Sequence, residues 1–294
     1  MEREKKQIAV IIVLFEPNKA EIAKASRLAC RYHGVIVDNS LSPAFISQPS
    51  HLMHYIAFQR NMGIAEAQNV AMRYIIENTT ATHIVFLDQD SDIDENYPDA
   101  ISEAFDHVNM EVPQLAFLGP RIENKVSGRE YKSVIHRQQQ ITHNFILRRD
   151  ITSSGGCTTT AIIREVGIND SQLFIDYVDF EWGWRAQSKG FVCGITPDIT
   201  IQHMIGRQTF YFLGYTVIIS APQRYFYQYR NFLWLLPRCY VPLRWKVNTL
   251  IKFLARLVYF PLLVKSGRLC WRYMISGIAA GLKPSNQGQQ KNIQ

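Results

Sequence analysis

The amino-acid sequence predicts an α/β protein: a mostly parallel sheet flanked by helices, with a basic, apolar, helical extension at the C-terminus. Three observations carry this expectation. Short β-branched apolar runs alternate with segments of helical spacing through the first half of the chain. Acidic residues recur where those runs end. The last third of the chain changes abruptly in charge and composition. With 294 residues, 47% hydrophobic and 19% charged, the chain can bury a sizeable core, which excludes wholesale disorder.

The elements follow in order. Ile8–Phe15 (IAVIIVLF) is a continuous apolar run, the mark of a parallel strand covered on both faces. Asn18–Cys30 has helical spacing through Ala20, Ile22, Ala23 and Leu28. Gly34 precedes a second strand, Val35–Val37, which ends in Asp38-Asn39-Ser40. His54–Phe58 reads as a third strand, Gly63–Ile76 as a helix, and His83–Leu87 as a fourth strand ending in Asp88-Gln89-Asp90. Leu115–Leu118 is a fifth strand, closed by Gly119-Pro120. The turn-rich Ser153-Ser154-Gly155-Gly156 then leads into CTTTAII, read as a strand. Phe174–Gly190 contains a helix, Phe191–Ile195 is a further strand, and the residues from Pro284 onward read as disordered.

Charge is divided unevenly. Residues 199–294 hold 13 Lys and Arg and no Asp or Glu, so the preceding 198 residues carry a net −6 against a total of +7. An acidic body joined to a basic tail points to a polyanionic partner, either nucleic acid or an anionic membrane surface. The five cysteines lie far apart without a CxxC pair, which argues against a zinc ribbon or a disulfide scaffold and for free thiols in a reducing cytosol. The basic start and its apolar run end at Glu16-Pro17 with no small-residue cleavage site, so no signal peptide is expected.

In an open α/β sheet, ligands bind at the carboxyl ends of the strands. Here those ends carry Glu16, Asp38 and Asp88-x-Asp90, with Asp92 and Asp94 nearby. Such a set suits a ligand rich in hydroxyls and amides, or a hard cation. Two carboxylates at i and i+2 can share one Mg²⁺ or Mn²⁺ that bridges a diphosphate. An EF-hand reading of DQDSDIDENYPD fails, because its sixth position is Ile93 and its twelfth Asp99. No GxGxxG follows the first strand, and GxxxxGK[ST] and GxSxG are absent, which excludes the dinucleotide, P-loop and nucleophile-elbow signatures.

VLFEPN, VIVDNS, NMGIAEAQNVA and FLDQDS, in that order, resemble the nucleotide-binding half of the inverting glycosyltransferases of family 2. The similarity is greatest to bacterial rhamnosyltransferases of O-antigen and polysaccharide assembly. It continues through SGGCTTTAIIREVG and FIDYVDFEWGWRAQSKGF to Gln202-His203, about residues 7–235. The resemblance implies the GT-A fold, a Rossmann-like sheet merged with an acceptor-binding half. It implies Phe15, Glu16 and Asp38 near the base and ribose of a sugar nucleotide. Asn61, Gly63, Ala65 and Asn69, matching NxGxAxAxN, would lie beside the nucleotide. Asp88 and Asp90 match DxD, with Asp90 as direct ligand of Mg²⁺ or Mn²⁺. Gly155-Gly156 would lie near the donor sugar, His203 near the metal or diphosphate, and Arg207 would add positive charge at the phosphates. Trp182 and Trp184 are open to sugar stacking or to core packing.

An inverting transfer needs a carboxylate to take the acceptor's hydroxyl proton. The family pattern E-D-x-D-x-x-x-R, counted back from Arg185, implies Asp179 as base and Glu181 as the next acid. The chain departs from it at Val178 and Glu181, which leaves Glu181 and Asp176 as alternatives. Arg185 would orient the acids, and a cap at Asp179 with a Glu181–Arg185 i,i+4 pair is compatible with that.

After Ile199 aromatic and apolar residues alternate with Lys and Arg. The longest run free of charge is Gln208–Gln223, too short to span a bilayer. The expectation is interfacial amphipathic helices. The division expected is residues 1–220 as catalytic domain (nucleotide half 1–120, acceptor half 121–220) and 221–294 as a membrane-associating region. The reaction expected is transfer of L-rhamnose from dTDP-L-rhamnose to a lipid-linked or growing glycan, on the cytoplasmic face of the cell membrane. Nucleic acid is not an expected partner, and an oligomer is compatible with the sequence. UDP-galactose or UDP-glucose as donor, and a catalytically silent nucleotide-sugar-binding protein, are the alternatives. Asp90 and Asp179 together speak against silence.

Overall fold

The computed structural model describes residues 7–124, 139–203, 208–212 and 215–284. β1 (Ile8–Leu14), α1 (Lys19–Ala29), β2 (His33–Asp38), β3 (Met53–Ala57), α2 (Gly63–Asn78) and β4 (His83–Asp88) lie where the sequence puts them, within a few residues. α1 starts at a capping box: the Asn18 side chain accepts from the Ala20 and Glu21 amides, and Glu21 accepts from the Asn18 amide. α3 (Tyr97–Glu111) follows, a helix the sequence reading does not name.

β5 (Leu115–Asn124) does not stop at Gly119-Pro120 as expected. A register shift between Gly119 and Arg121 in its pairing with β9 (Val192–His203) lets the ladder pass the proline, which has no amide to donate. β6 (Gln139–Thr142) and β7 (Phe145–Leu147) form a hairpin beyond it. CTTTAII is only partly strand. β8 is Cys157–Thr159, and α4 (Thr160–Val166) begins at once because the Thr159 hydroxyl caps it by accepting from the Ile162 amide. Then come α5 (Val178–Ser188) and β9, which is far longer than the five residues expected. β10 (Gln208–Phe212) pairs with β11 (Tyr215–Ile219), and α6 (Pro222–Leu235), α7 (Leu243–Leu263) and α8 (Gly267–Gly281) complete the chain. The expected disorder from Pro284 onward falls almost entirely outside the described residues.

The main sheet has the order β3-β2-β1-β4-β8-β5-β9-β7-β6, with β8 and β7 running against the other strands. Its continuous apolar strands are covered on both sides, as their sequence requires. Val10, Ile12 and Leu14 of β1 pack with α1 and α3 through Leu28, Ile101 and Phe105. The alternate residues Ala9, Ile11 and Val13 share a cluster with α2, α4 and α5 through Ala71, Ile75, Ile163 and Trp182. Period-two alternation thus feeds two cores from one strand.

Neither expected boundary is a break in packing. β5 straddles 120/121. Trp184 of α5 joins Tyr225, Tyr229 and Phe232 of α6 and Trp245 and Phe253 of α7 in one cluster, which ties α6–α8 to the α/β body across 220/221. No helix among the described residues is long and apolar enough to cross a membrane.

Candidate active site

The polar strand ends converge on the carboxyl edge of β1, β2 and β4, and side-chain clamps explain how. Gln89, the middle residue of DQD, accepts from the Phe15 amide at 2.7 Å and donates to the Phe15 carbonyl at 3.1 Å. It therefore locks the end of β1 to the end of β4 and leaves the Phe15 ring exposed. Glu16 turns the chain with φ 47°, and its amide donates to the Ser40 hydroxyl at 2.7 Å. Asn39 joins β2 to α2: its side-chain Nδ2 donates to Asn61 Oδ1 at 3.0 Å and its own Oδ1 accepts from the Met62 backbone amide at 2.6 Å. Gly63, with φ 82°, lets the α2 start meet the 171–175 segment. A Cβ there would lie 2.5 Å from the Phe174 carbonyl oxygen.

β8 brings the second wall. Because it runs antiparallel between β4 and β5, its entry lies at their carboxyl ends, where Gly155 and Gly156 bond to both backbone groups of Phe86 at 2.8 and 2.9 Å. Gly156 is obligatory, since a Cβ would overlap the Phe117 ring at 1.9 Å. The same turn presents Ser153, whose amide donates to Asp179 Oδ2 at 3.0 Å. Ser154 meets Ser91, just past DQD, hydroxyl to hydroxyl at 3.1 Å.

Asp179 sits in the first turn of α5. Burial pushes its carboxyl up from an ordinary 3.8 to about 6, and the neighbouring Asp88 and Asp176 charges add to that. The Ser153 donors pull the other way. A carboxylate poised near 6, beside the strand end that carries Asp88 and Asp90, has the properties of a general base.

Asp88 is part-buried and Asp90 exposed. Lys24 of α1 donates to the Ser91 carbonyl at 2.6 Å. Burial lowers its pKa, opposed by the charges of Asp90, Glu21, Asp92 and Asp88. The site is therefore strongly negative. Among the described residues no three His, Cys, Asp or Glu side chains are arranged to hold an ion by themselves. Two hard carboxylates at one strand end still fit Mg²⁺ or Mn²⁺, which is commonly held by one or two carboxylates with phosphate oxygens and water completing the shell. Backbone pairing of Asp92 with Gln202 brings the end of β9, with His203, beside the DQD turn. The His203 side chain and Arg207 lie outside the described residues.

Several expected residues serve elsewhere. Glu181, 1% exposed, is not at the strand ends: it binds Arg185 Nε and Nη2 at 3.0 and 3.1 Å, the Tyr240 hydroxyl at 2.7 Å and Arg238 at 3.3 Å. It points away from Asp179, as residues two apart on a helix do. Arg185 spends its other donors on the Val166 and Ile168 carbonyls, at 2.6 and 2.7 Å. It therefore faces the α4–α5 junction and not a sugar. Trp182 is buried, and its indole N–H donates to the Gly167 carbonyl at 2.8 Å; Trp184 is core. Asn69 is buried, exchanging bonds of 2.9 and 2.8 Å with the Asn169 backbone. Asp38 is fully buried and accepts from the Ser40 and Ala44 amides and the Tyr55 hydroxyl. It shapes the 40–44 loop beside the site. Asp176 is paired with Arg224.

Sequence reasoning misses Gln89, Ser153 and Lys24. Gln89 is signalled only by its place inside DxD. Ser153 and Lys24 reach the site from distant segments and leave no local signal.

No family model matches the chain. It is 30% identical over 289 residues, 94% of this chain and 94% of the relative, to the dTDP-rhamnosyl transferase RfbF of Shigella flexneri. The chain belongs to the family of that rhamnosyl transferase. Among solved structures, S. aureus TarS 1–349 aligns with a TM-score of 0.53 at 14% identity, over 94% of this chain and 80% of that one. Its UDP-GlcNAc complex gives 0.52 at 15%, over 93% and 81%. GalNAc-T7, solved with UDP, GalNAc and Mn²⁺, gives 0.53 at 11% over 92% of this chain, which spans 55% of that transferase. The fold of this glycosyltransferase is thus GT-A, as the sequence resemblance implies.

Proposed function

We propose that this glycosyltransferase moves L-rhamnose from dTDP-L-rhamnose, with inversion, to a lipid-linked or growing polysaccharide acceptor. The observation that carries the reading is Asp179, a part-buried carboxylate with a pKa raised to about 6, set by Ser153 beside the DQD strand end. The rhamnosyl donor is supported by the relative's specificity. In this reading the exposed Phe15 ring offers a stacking face to the base, and the Glu16–Ser40 turn and Asn39–Asn61 bridge shape the nucleoside pocket. Asp88 and Asp90 would hold Mg²⁺ or Mn²⁺, whose positive charge would neutralise the departing diphosphate. Asp179 receives the acceptor hydroxyl proton as that oxygen attacks the anomeric carbon and the bond to the diphosphate breaks. Ser153 holds the carboxylate still.

The acceptor's lipid partner is supported by α7. Leu243, Val247, Ile251, Leu254, Val258 and Leu262 form an exposed apolar row at helical spacing. The exposed Arg244, Lys252, Lys265 and Arg268 lie along and just after it. A second copy would set Lys and Arg against Lys and Arg, since residues 199–294 contain no acid. An anionic cytoplasmic leaflet complements both features.

The deciding experiment offers purified enzyme dTDP-rhamnose, UDP-galactose, UDP-glucose and UDP-GlcNAc with Mn²⁺ and an undecaprenyl-linked acceptor, and follows nucleoside diphosphate release. The reading expects turnover with dTDP-rhamnose. Turnover with a UDP-sugar alone overturns the donor assignment, and none with any donor favours a silent binding protein.

A further inference from the structure

The segment that delivers Asp179 has an unusual backbone. Phe174, Asp176 and Tyr177 all have positive φ, at 65°, 65° and 66°, and none is glycine. Side chains there strongly disfavour the left-handed region, so such a run persists only where its surroundings over-determine it. The surroundings are unusually complete. Five consecutive carbonyls, from Gln172 to Asp176, are each held by a donor outside the segment. The Ala65 amide of α2 donates to Phe174 at 3.2 Å. The other four are held from α6.

Asn231 of α6 is fully buried, and its Nδ2 points at the carbonyls of Leu173, Ile175 and Asp176, at 2.8, 2.8 and 3.0 Å. Its Oδ1 accepts from Arg230 Nε and Nη2 at 3.0 and 2.8 Å, which fixes which end of the amide faces the segment. Arg230 Nη2 also donates to the Gln172 and Leu173 carbonyls at 2.8 and 3.0 Å. Its guanidinium lies 4.3 Å from the Trp234 ring centroid, with Tyr227 and Phe226 next to it. Arg224, one helix face along, grips the Asp176 carboxylate through two bonds of 2.6 and 3.2 Å. Two residues after the last positive φ comes Asp179.

We propose that Asn231, with Arg230 and Arg224, is a positioning residue for glycosyl transfer: α6 of the basic tail holds the strained 174–177 segment in the one conformation that aims Asp179 at the acceptor. This deepens the reading of Asp179 as the base and rests on it. It makes the tail part of the active site. The helix that grips the segment is packed in one cluster with α7, which bears the exposed apolar row.

The test is steady-state kinetics of Asn231→Ala in the full chain, with dTDP affinity measured in Mn²⁺ and thermal unfolding recorded alongside. Relaxation of the segment by about an ångström lowers kcat by about 10²-fold while KM for the donor and dTDP affinity stay within about twofold, because the nucleotide pocket is built by other strands. A kcat change smaller than about threefold, or a loss confined to KM, overturns the proposal. If Asn231→Ala fails to fold, Arg224 decides, since it grips from the part-exposed side. Arg224→Ala then lowers kcat and Arg224→Lys recovers part of it; unchanged kcat in both overturns the proposal. Asp179→Asn is run beside them. Normal turnover there removes Asp179 as the base, whereas a dead Asp179→Asn with a normal Asn231→Ala removes only the positioning role.

Discussion

Asp179→Asn should make the protein more stable as it makes it inactive. Burial raises this carboxyl from 3.8 to about 6, so the folded state holds the ionised form at a penalty that the unfolded chain does not carry. A shift of roughly two units at 1.36 kcal/mol each gives an upper bound of about 3 kcal/mol. Part-exposure of the side chain screens this to about 2 kcal/mol. Asparagine keeps an oxygen for the Ser153 amide and removes the charge. The sign follows from the two pKa values. Well below pH 3.8 both states are protonated and the variant gains nothing. As the pH rises from 3.8 towards 6 the unfolded wild type ionises first, so the variant's advantage grows; above about 6 it is constant. Thermal unfolding of both proteins in EDTA, from about pH 4 to about pH 8, should therefore show midpoints that diverge to roughly 3 °C at neutral pH. Turnover of the variant should fall about 10²–10⁴-fold. A variant less stable than wild type at neutral pH, or an advantage independent of pH, would refute the assignment of a strained, desolvated base.

Glu181→Gln should do the reverse: breaking its buried links to Arg185, Arg238 and Tyr240 should cost about 3 kcal/mol in a denaturant titration, with turnover per folded molecule nearly kept. A stable but dead Glu181→Gln would restore it as a catalytic acid. Asp90→Asn should abolish turnover and the Mn²⁺-dependent part of dTDP binding in a thermal-shift titration; full wild-type activity in EDTA would contradict metal dependence. Wild-type protein should co-sediment with anionic vesicles far better than with neutral ones and be released by salt, at roughly 1 kcal/mol per Lys or Arg that reaches the surface. Leu254→Glu with Val258→Glu on α7 should weaken that binding without altering turnover on a soluble acceptor analogue. Equal binding of wild type to both vesicle types would refute the charge argument.

The sequence by itself determined the parallel strands β1–β4 and the acidic ends of β1, β2 and β4. β1 is legible because a strand covered on both faces must be apolar at every position, and DQD because a polar pair after such a strand has only the carboxyl edge to occupy. Asp179 is reachable the same way, through its ordered place in a motif. Glu181 and Trp182 are not distinguished from it by any local property; one to three residues apart on a single helix, they differ only in which neighbour each face meets. The Glu181–Arg185 pair is local, but the tertiary structure decided that Glu181 also meets Arg238 and Tyr240, some 60 residues on, while Asp179 meets Ser153 from the turn that enters a strand inserted the other way. Residues 221–294 read as an appendage because their charge and apolar spacing are local, whereas the grip of Asn231 on the Leu173, Ile175 and Asp176 carbonyls is a contact across more than 50 residues. Periodicity reports what a residue's own helix or strand requires of it, and the partner that fixes its role is supplied only when distant backbone folds against it.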